Sequence, residues 1–516
     1  MTTKDIKIIS YFPSWGVYGR KFYPWNIPVD KLTHINYAFA NVTPTGELSW
    51  NDTWSDLDKR YAERGDSWND PAGHVYGNIK HLFELKKQNR HLKILLSVGG
   101  WTLSKHFPSV MANPTTRTKC VDSSIQFMLE HGFDGLDYDW EWLGALGASH
   151  NEPPRPDDGN NFALFLKELR DKMNLITPKR KFLVTIAGPA AIEKIDISKI
   201  ELWHQYLDHI SIMAYDYEGS WSKTVGHHSN LHNSSSPGST FSTSSAVDRY
   251  VSKGIQPHRL VIGVPFYARG FSNIQGGWGS KFQGIPPPNE AEYKWAKGNS
   301  DYRGINMGAS SGNDGVESVD KQAGAAYCSN NQTRVFWSYD NPESVGMKMD
   351  YIISKGLGGA MSWSIDGDLP IDHPRSLSKV IHNKLSPFGL DHSQNILHFP
   401  TSKYTNINNL PHEQAAPTPV QPPVRPPAIV LPPGVLQPNP NLNSPVIPPW
   451  ISAPTPAPAP TPAPTPAPTS TYTSTYTSTY THSTYTSTYT STYTHTHTST
   501  YTSTYTTYIS TNSIWY

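Results

Sequence analysis

The chain has little cysteine and no excess of charge of either sign. Its 516 residues include two cysteines, Cys120 and Cys328, which lie far apart and cannot form a disulfide framework. We therefore expect two buried free thiols. The 43 Lys and Arg residues balance the 42 Asp and Glu residues, for a net charge of +1. This balance removes the electrostatic reason to expect nucleic acid or an anionic membrane as a partner.

Long hydrophobic runs are also absent. No stretch of about 18 consecutive apolar residues occurs, so no membrane span is predicted. The first ten residues, MTTKDIKIIS, lack the apolar core of a signal peptide. We therefore recognise no export signal in the sequence.

Aliphatic residues become scarce towards the C-terminus. Residues 411–468 are rich in proline, which predicts a semi-rigid linker. Residues 469–516 repeat Ser-Thr-Tyr-Thr units that cannot bury a core, so a disordered tail is predicted. An O-glycosylated stalk and an adhesive tail with exposed aromatic residues are the alternatives.

Residues 1–390, in contrast, have the pattern of a globular domain. Short apolar runs alternate with helical patterns, which predicts a (β/α)8 TIM barrel in the α/β class. An open doubly wound sheet would need a glycine-rich phosphate turn after the first strand, and YFPSWG is not one. The eight predicted strands are 6–12, 34–40, 93–100, 135–141, 182–188, 209–215, 260–267 and 358–365.

Two further features belong to this domain. In 160–174 the apolar residues recur at the spacing of one helix face, which predicts an amphipathic helix. The long interval before the eighth strand is rich in Gly, Asn and Trp and has its own apolar runs. We expect a small α+β insertion at about 272–335, because structureless loops of that length are uncommon in compact domains.

The sequence FDGLDYDWEW at 133–142 has more acidic residues than a buried strand would favour. Alternation along a strand puts Asp137, Asp139 and Glu141 on one side, which in a barrel is the interior. Glu141 then lies at the carboxyl end of the strand, where barrels of this class have their active sites. Tyr138 and Trp140 should face the helices. Asp134 breaks the alternation and is expected to be structural.

Three neighbouring carboxyl groups in a barrel interior cannot all be charged at low cost. Repulsion raises at least one pKa, so the three should share protons and titrate as a unit. Glu141 could then remain protonated near neutral pH and act as a general acid. A structural hydrogen-bond network is the alternative.

Metal binding is a weaker hypothesis than acid catalysis, both for the acidic stretch at 133–142 and for a pair of histidines further along the chain. The bulky aromatic residues between these acids do not fit a calcium loop. His228 and His232 have the spacing of a helical metal site, but their surroundings predict a loop and no glutamate accompanies them. We therefore expect neither a metal nor a cofactor.

Five motifs together identify a resemblance to a known family. DGLDYDWEW at 134–142 resembles the D-x-x-D-x-D-x-E signature of family 18 glycoside hydrolases, the chitinases. The other four motifs follow the family's order along the predicted strands. They are SVGGW at 97–101, MAYDY at 213–217, YARGF at 267–271 and MSWSI at 361–365. The insertion before the eighth strand resembles that of the chitinase subgroup with a deep substrate groove.

The resemblance implies a role for each matched residue. Glu141 is implied as the acid/base, Asp139 as the group that holds the substrate's 2-acetamido group, and Asp137 as its proton-sharing partner. Tyr215 and Asp216 are implied to contact the same acetamido group. Trp363 is implied as the floor of the subsite at the cleaved bond. The implied groove residues are Tyr11, Phe39, Trp101, Trp142, Met213, Trp221 and Arg269; barrel packing is the alternative for Tyr11, Phe39 and Trp363.

The resemblance also implies the reaction and its setting. It implies retaining hydrolysis of chitin or chito-oligosaccharides, assisted by the substrate's own acetamide. Because polymeric chitin lies outside cells or in their walls, we expect an extracellular or cell-surface location, and we expect a monomer. One departure is visible, because Trp142 and Leu143 replace the family's usual Tyr-Pro beside the acid. Three alternatives are an endo-N-acetylglucosaminidase, a chitin-binding lectin without activity and an adhesin that acts through its tail.

Overall fold

The structure is a computed structural model that describes residues 5–176, 181–233, 241–288, 294–305, 315–408, 470–478 and 487–495. The chain divides into two compact units, Met1–Thr418 and Pro419–Tyr516. The strands are β1 (Lys7–Pro13), β2 (His34–Val42), β3 (Leu48–Trp50), β4 (Lys93–Gly99), β5 (Gly135–Asp139), β6 (Leu183–Gly188), β7 (His209–Ile212), β8 (Leu260–Pro265), β9 (Tyr267–Ser272), β10 (Asn299–Asp301), β11 (Val316–Asp320), β12 (Ala325–Asn330), β13 (Val335–Tyr339), β14 (Gly359–Trp363), β15 (Ser470–Ser478) and β16 (Ser487–His495).

The helices of the described residues mostly follow the strands of the first unit. They are α1 (Gly77–Gln88), α2 (Phe107–Ala112), α3 (Pro114–His131), α4 (Asp158–Ile176), α5 (Ile192–Ile197), α6 (Thr243–Ser252), α7 (Pro342–Lys355), α8 (Leu377–Leu385) and α9 (Thr405–Asn408). Helix α4 covers the predicted helix at 160–174.

Eight parallel strands close into a barrel. Their order is β1, β2, β4, β5, β6, β7, β8 and β14, and β14 pairs with β1 to complete the ring. Strand β3 is added outside the ring, antiparallel to β2. The predicted (β/α)8 barrel is confirmed.

Six of the eight barrel strands are shorter than predicted, whereas β1 has the predicted length and β2 is two residues longer. Strand β5 ends at Asp139, so Glu141 lies two residues beyond it. At that point the Glu141 amide donates to Ser104 Oγ at 2.8 Å instead of to a neighbouring strand. Glu141 is therefore on the loop that leaves the strand, at the barrel's carboxyl end.

The layer between barrel and helices forms the main apolar core. Tyr138 and Trp140 point into it, as the alternation predicts. The ring centroid of Tyr138 lies 5.0 Å from that of Phe165, and that of Trp140 lies 5.2 Å from that of Phe107. The outward face of β5 is thus purely structural.

A second sheet follows β8 and consists of five antiparallel strands in the order β10, β9, β13, β12, β11. It spans residues 267–339 and is therefore wider than the predicted insertion at 272–335. The sequence analysis assigned Tyr267 to the end of the seventh predicted strand, 260–267. The barrel strand β8 instead ends at Pro265, and Tyr267 begins β9, which leaves the barrel and pairs with β13. We call these five strands, β9 to β13, the inserted sheet.

The first unit continues beyond residue 390, the predicted domain boundary. The Ile396 amide donates to Asp134 Oδ1 at 2.6 Å, and Ile396, Phe399 and Ile407 are buried in the main core. Asp134 also accepts from the Ile94 amide at 2.7 Å, so its role is structural, as predicted. Polar and apolar residues are mixed in 390–408, so the sequence pattern did not predict that these apolar side chains would be buried.

In the second unit, β15 and β16 form an antiparallel pair. The sequence analysis predicted no such pairing in the tail, although threonine and tyrosine are favoured in strands. The predicted linker at 411–468 and the rest of the tail lie outside the described residues.

Other expectations concern single features. Cys120 and Cys328 are both buried thiols, and neither forms a disulfide bond in the part of the chain described, as predicted. Within the described part of the chain, no helix has the length and apolar character needed to cross a membrane.

Candidate active site

Asp137 is held by three hydroxyl groups from three other barrel strands. Its Oδ2 atom accepts from the Tyr11 hydroxyl at 2.6 Å and from Ser97 Oγ at 2.8 Å, and its Oδ1 atom accepts from Thr185 Oγ1 at 2.6 Å. Burial raises the pKa of Asp137, and these hydrogen bonds oppose the rise. Asp137 is therefore fixed in position.

Asp139 has much less support. It is buried, and its Oδ1 atom has no hydrogen-bond partner among the described residues. Burial, followed by the charges of Glu141 and Asp137, raises the pKa of Asp139 well above its ordinary value. Asp139 can therefore hold a proton and has an oxygen available to a ligand.

Glu141 has the protonation behaviour of a general acid. Burial and the charge of Asp216 raise its pKa to about 8, while the charge of Lys194 opposes the rise. Asn151 Nδ2 donates to the Glu141 carbonyl at 3.1 Å, which holds the backbone beside the Ser104 contact. Glu141 can thus donate a proton at neutral pH.

Asp216 remains charged because its partners favour the anion. Arg269 donates to both of its carboxylate oxygens, from Nε and Nη2, each at 2.7 Å, and the Tyr267 hydroxyl donates at 2.8 Å. His228 Nδ1 lies 3.7 Å from Asp216 Oδ1. Burial opposes the effect, but the Arg269 charge holds the pKa of Asp216 far below its ordinary range. Glu141 and Asp216 therefore have opposite preferred states.

An apolar cluster lines the barrel mouth beside these acids. It includes six of the predicted site residues, namely Tyr11, Phe39, Trp142, Met213, Tyr215 and Trp363. The Trp363 ring stacks on Phe39, with centroids 5.6 Å apart at 17°, and lies 5.3 Å from Tyr11. Trp363 is partly exposed, whereas Tyr11 and Phe39 are buried. Trp363 therefore offers a surface, and the other two rings support it.

Three predicted groove residues lie outside this cluster. Trp101 and Trp221 are 48% and 58% exposed, so neither is a core residue. The Arg269 guanidinium lies 5.3 Å from the Trp221 ring centroid. Trp221 therefore lies next to the arginine that pairs with Asp216. Trp101 follows β4 on an exposed turn.

The sequence analysis missed several residues of the site. Ser97 and Thr185, on neighbouring strands, hold Asp137, and strand alternation around the barrel could have identified them. Tyr267 is on the same face of β9 as Arg269 and could have been found in the same way. His228 was considered only as a weak metal ligand, and Lys194 had no such signal, since only the fold brings His228 to Asp216 and Lys194 to the Trp142 ring beside Glu141.

The fold and the site together define a class of enzyme. A glutamic acid with a pKa of about 8 lies at the carboxyl end of a (β/α)8 barrel, beside further carboxyl groups and a partly exposed tryptophan. Such an arrangement is typical of glycoside hydrolases.

Comparisons with known proteins specify the family. Residues 7–368 match the description Glycosyl hydrolases family 18. Chitinase 1 of Aphanocladium album is 35% identical over 403 residues, which are 77% of this chain and 89% of that protein. The chain belongs to family 18 of the glycosyl hydrolases.

Solved structures agree with this assignment. A chitinase from Bacillus thuringiensis matches with a TM-score of 0.68 at 31% identity, over 74% of this chain and 70% of that one. The catalytic domain of the psychrophilic chitinase B from Arthrobacter matches with a TM-score of 0.68 at 29% identity, over 77% of this chain and 99% of that one.

Proposed function

We propose that the protein is a chitinase that hydrolyses β-1,4-linked N-acetylglucosamine polymers with Glu141 as acid/base. The observation that carries the proposal is the row Asp137, Asp139 and Glu141, in which Asp137 accepts three hydroxyl hydrogen bonds and Asp139 has an oxygen with no hydrogen-bond partner among the residues described above. The similar proteins named chitinases support this substrate class.

The mechanism uses the substrate as its own nucleophile. Glu141 protonates the glycosidic oxygen while the carbonyl oxygen of the 2-acetamido group attacks the anomeric carbon and expels the leaving sugar. Asp139 accepts a hydrogen bond from the acetamide N–H and stabilises the cyclic oxazolinium ion. The proton of Asp139 is shared with Asp137. The Glu141 carboxylate then takes a proton from water while the water oxygen attacks the anomeric carbon, which breaks the bond to the acetamido oxygen and opens the ring. Two inversions at the anomeric carbon give net retention.

The remaining predicted residues bind the sugar chain in this proposal. Trp363 is the floor of the subsite at the cleaved bond, and Tyr215 and Asp216 contact the acetamido group. Trp101, Trp142, Met213, Trp221 and Arg269 line the groove, with Tyr11 and Phe39 behind it.

Several coarser proposals accompany this one. The inserted sheet is proposed to form one wall of a deep groove, as in the subgroup that the sequence resembles. A folded catalytic domain, a proline-rich linker at 411–468 and a low-complexity tail at 469–516 are the proposed organisation. We further propose a monomer that acts outside the cell or at its surface and requires no cofactor.

The test is hydrolysis of a short N-acetylglucosamine oligomer, with product anomers followed by NMR. The wild type should release the β-anomer first, and Glu141→Gln should abolish the release. Glu63→Gln, which changes an exposed glutamate far from the barrel acids in sequence, serves as the matched control. Turnover should continue in the presence of a chelator.

Other outcomes would select an alternative. Tight oligomer binding without turnover by the wild type would indicate a lectin. Cleavage of glycoprotein glycans in preference to the oligomer would indicate an endo-N-acetylglucosaminidase. Early release of the α-anomer would contradict the retaining mechanism.

A further inference from the structure

Lys194 has an unusual position for a lysine. It lies on α5, the short helix that follows β6, and is half-buried. Its Nζ atom lies 3.9 Å from the ring centroid of Trp142, the residue that directly follows Glu141. An ammonium group this close to an indole face is attracted by the ring, which offsets part of the cost of removing it from water.

The charges around Glu141 come from several elements. Asp137 and Asp139 precede it on β5, Asp216 faces it from the end of β7, and the Tyr215 hydroxyl also interacts with its charge. All of these groups are neutral or negative, and the Arg269 cation next to them is paired with both carboxylate oxygens of Asp216. Lys194 on α5 is the cation that acts on Glu141 among the described residues.

The interaction between Lys194 and Glu141 is reciprocal. Burial lowers the pKa of Lys194, and the charge of Glu141 opposes that effect. The same attraction favours the ionised form of Glu141 against burial and the Asp216 charge. A neutral side chain at position 194 would therefore remove an influence that favours the ionised form of Glu141, while burial and the Asp216 charge would still favour the protonated form.

The replacement of Tyr-Pro by Trp142 and Leu143 becomes understandable in this setting. Indole offers a stronger cation-binding face than phenol. Leu143 is buried in the main core and anchors the backbone behind Trp142. The Trp142 ring thus has a fixed position from which it can hold the Lys194 ammonium beside the acid.

We propose that Lys194 is a positioning residue of the reaction, held on the Trp142 ring, and that its charge sets the upper pH limit at which Glu141 acts as acid. The inference rests on the proposed function, in which Glu141 protonates the leaving group. Lys194 itself need not contact the reacting atoms.

The test compares pH profiles of kcat/KM for the wild type, Lys194→Met and Lys194→Arg. Lys194→Met keeps an apolar stem and removes the charge, so the alkaline limb should move to higher pH by about one unit. Lys194→Arg should return the alkaline limb to its wild-type pH, because it again places a cation on the Trp142 ring. Lys87→Met, which removes an exposed charge from α1, should leave the profile unchanged.

A second measurement does not depend on turnover. The carboxyl carbon of Glu141 can be titrated by NMR in protein labelled at glutamate, with Glu141→Gln assigning the signal. The titration midpoint should rise in Lys194→Met and return in Lys194→Arg. If Lys194→Met does not fold, Lys194→Gln is measured in its place.

The results distinguish the proposed role of Lys194 from the proposed chitinase function. An unchanged midpoint and an unchanged alkaline limb in Lys194→Met would overturn the role of Lys194, even if the enzyme cleaves chitin oligomers. A raised midpoint in a protein that cleaves no oligomer would support the role of the Lys194 charge and reject the proposed function.

Discussion

At the scale of single residues, closely spaced acids differ because their surroundings differ. Asp137 is surrounded by hydroxyl donors, whereas Asp139, two residues later, has an oxygen without a hydrogen-bond partner in the part of the chain that the structure describes. Asp216 has a bidentate arginine, which keeps it ionised. Donors and neighbouring charges, rather than residue type, therefore assign the proton-carrying and anionic roles.

Asp139→Asn should lower kcat by roughly 100-fold or more, because the neutral amide cannot stabilise the positive charge that develops in the transition state. Oligomer binding should persist, since the aromatic surface is unchanged. Steady-state kinetics and calorimetric binding measure the two quantities. Asp248→Asn, at an exposed position on α6, is the control. Equal losses in affinity and turnover would contradict the assignment.

Arg269→Met should destabilise the protein by about 2 kcal/mol at neutral pH, because Asp216 loses its bidentate partner. This value lies below that of a fully buried pair because the Asp216 side chain is 37% exposed. The exposed Arg334→Met serves as the control in urea unfolding.

The same variant should have a distinct pH dependence. The folded protein holds the pKa of Asp216 far below its ordinary value, so the carboxylate contributes stability above the unfolded pKa of about 4. That contribution is lost as pH falls from about 4 toward the folded value. The stability difference between wild type and Arg269→Met should therefore be smaller at acidic pH than at neutral pH. A constant difference would show that Asp216 is not the group involved.

At the scale of elements, the turn after β4 determines where β5 can deliver its acids. Gly99 has a φ of +110°, and a Cβ atom there would lie 2.3 Å from the Asp139 carbonyl oxygen. The Gly100 amide donates to that same carbonyl at 2.7 Å. The two glycines of SVGGW therefore let the β4 turn contact the end of β5 directly.

Gly99→Ala should destabilise the protein by about 3 kcal/mol, because it combines a strained backbone with a clash against β5. Turnover should also fall, since relief of the clash displaces Asp139. Chemical denaturation and kinetics measure these effects. Gly277→Ala is the matched control, because a Cβ atom there would meet nothing within 4 Å. Equal stability of the two variants would contradict this close approach.

At the scale of the whole molecule, residues 390–408 complete the catalytic unit. They place Ile396, Phe399 and Ile407 in the main core and give a hydrogen bond to Asp134 at the start of β5. The barrel therefore depends on a segment that lies after its last strand.

A chain ending at residue 408 should fold and cleave soluble oligomers as the full chain does. A chain ending at residue 390 should lose several kcal/mol of stability, because burying each large apolar side chain contributes about 1.5–3 kcal/mol. Thermal unfolding and oligomer hydrolysis compare the two truncations with the full chain. Loss of oligomer cleavage at 408 would instead favour a function that resides in the tail.

The amino-acid sequence determined the features that depend on local pattern. The alternating apolar runs specified eight barrel strands, the helical spacing specified α4, and DGLDYDWEW specified which acids lie at the end of β5. These were predictable because side-chain direction in a strand or helix repeats over a few residues. The alternation also gave the outward direction of Tyr138 and Trp140.

Tertiary structure alone decided the contacts between distant parts of the chain. It brought Lys194 to the Trp142 ring beside Glu141, His228 to Asp216 and residues 390–408 to the barrel, and it turned β9 away from β8 to pair with β13. It also fixed the proton affinities of the acids, because burial and neighbouring charges exist only in the closed barrel. The acids can be read from the sequence, but the state in which each one acts depends on the fold.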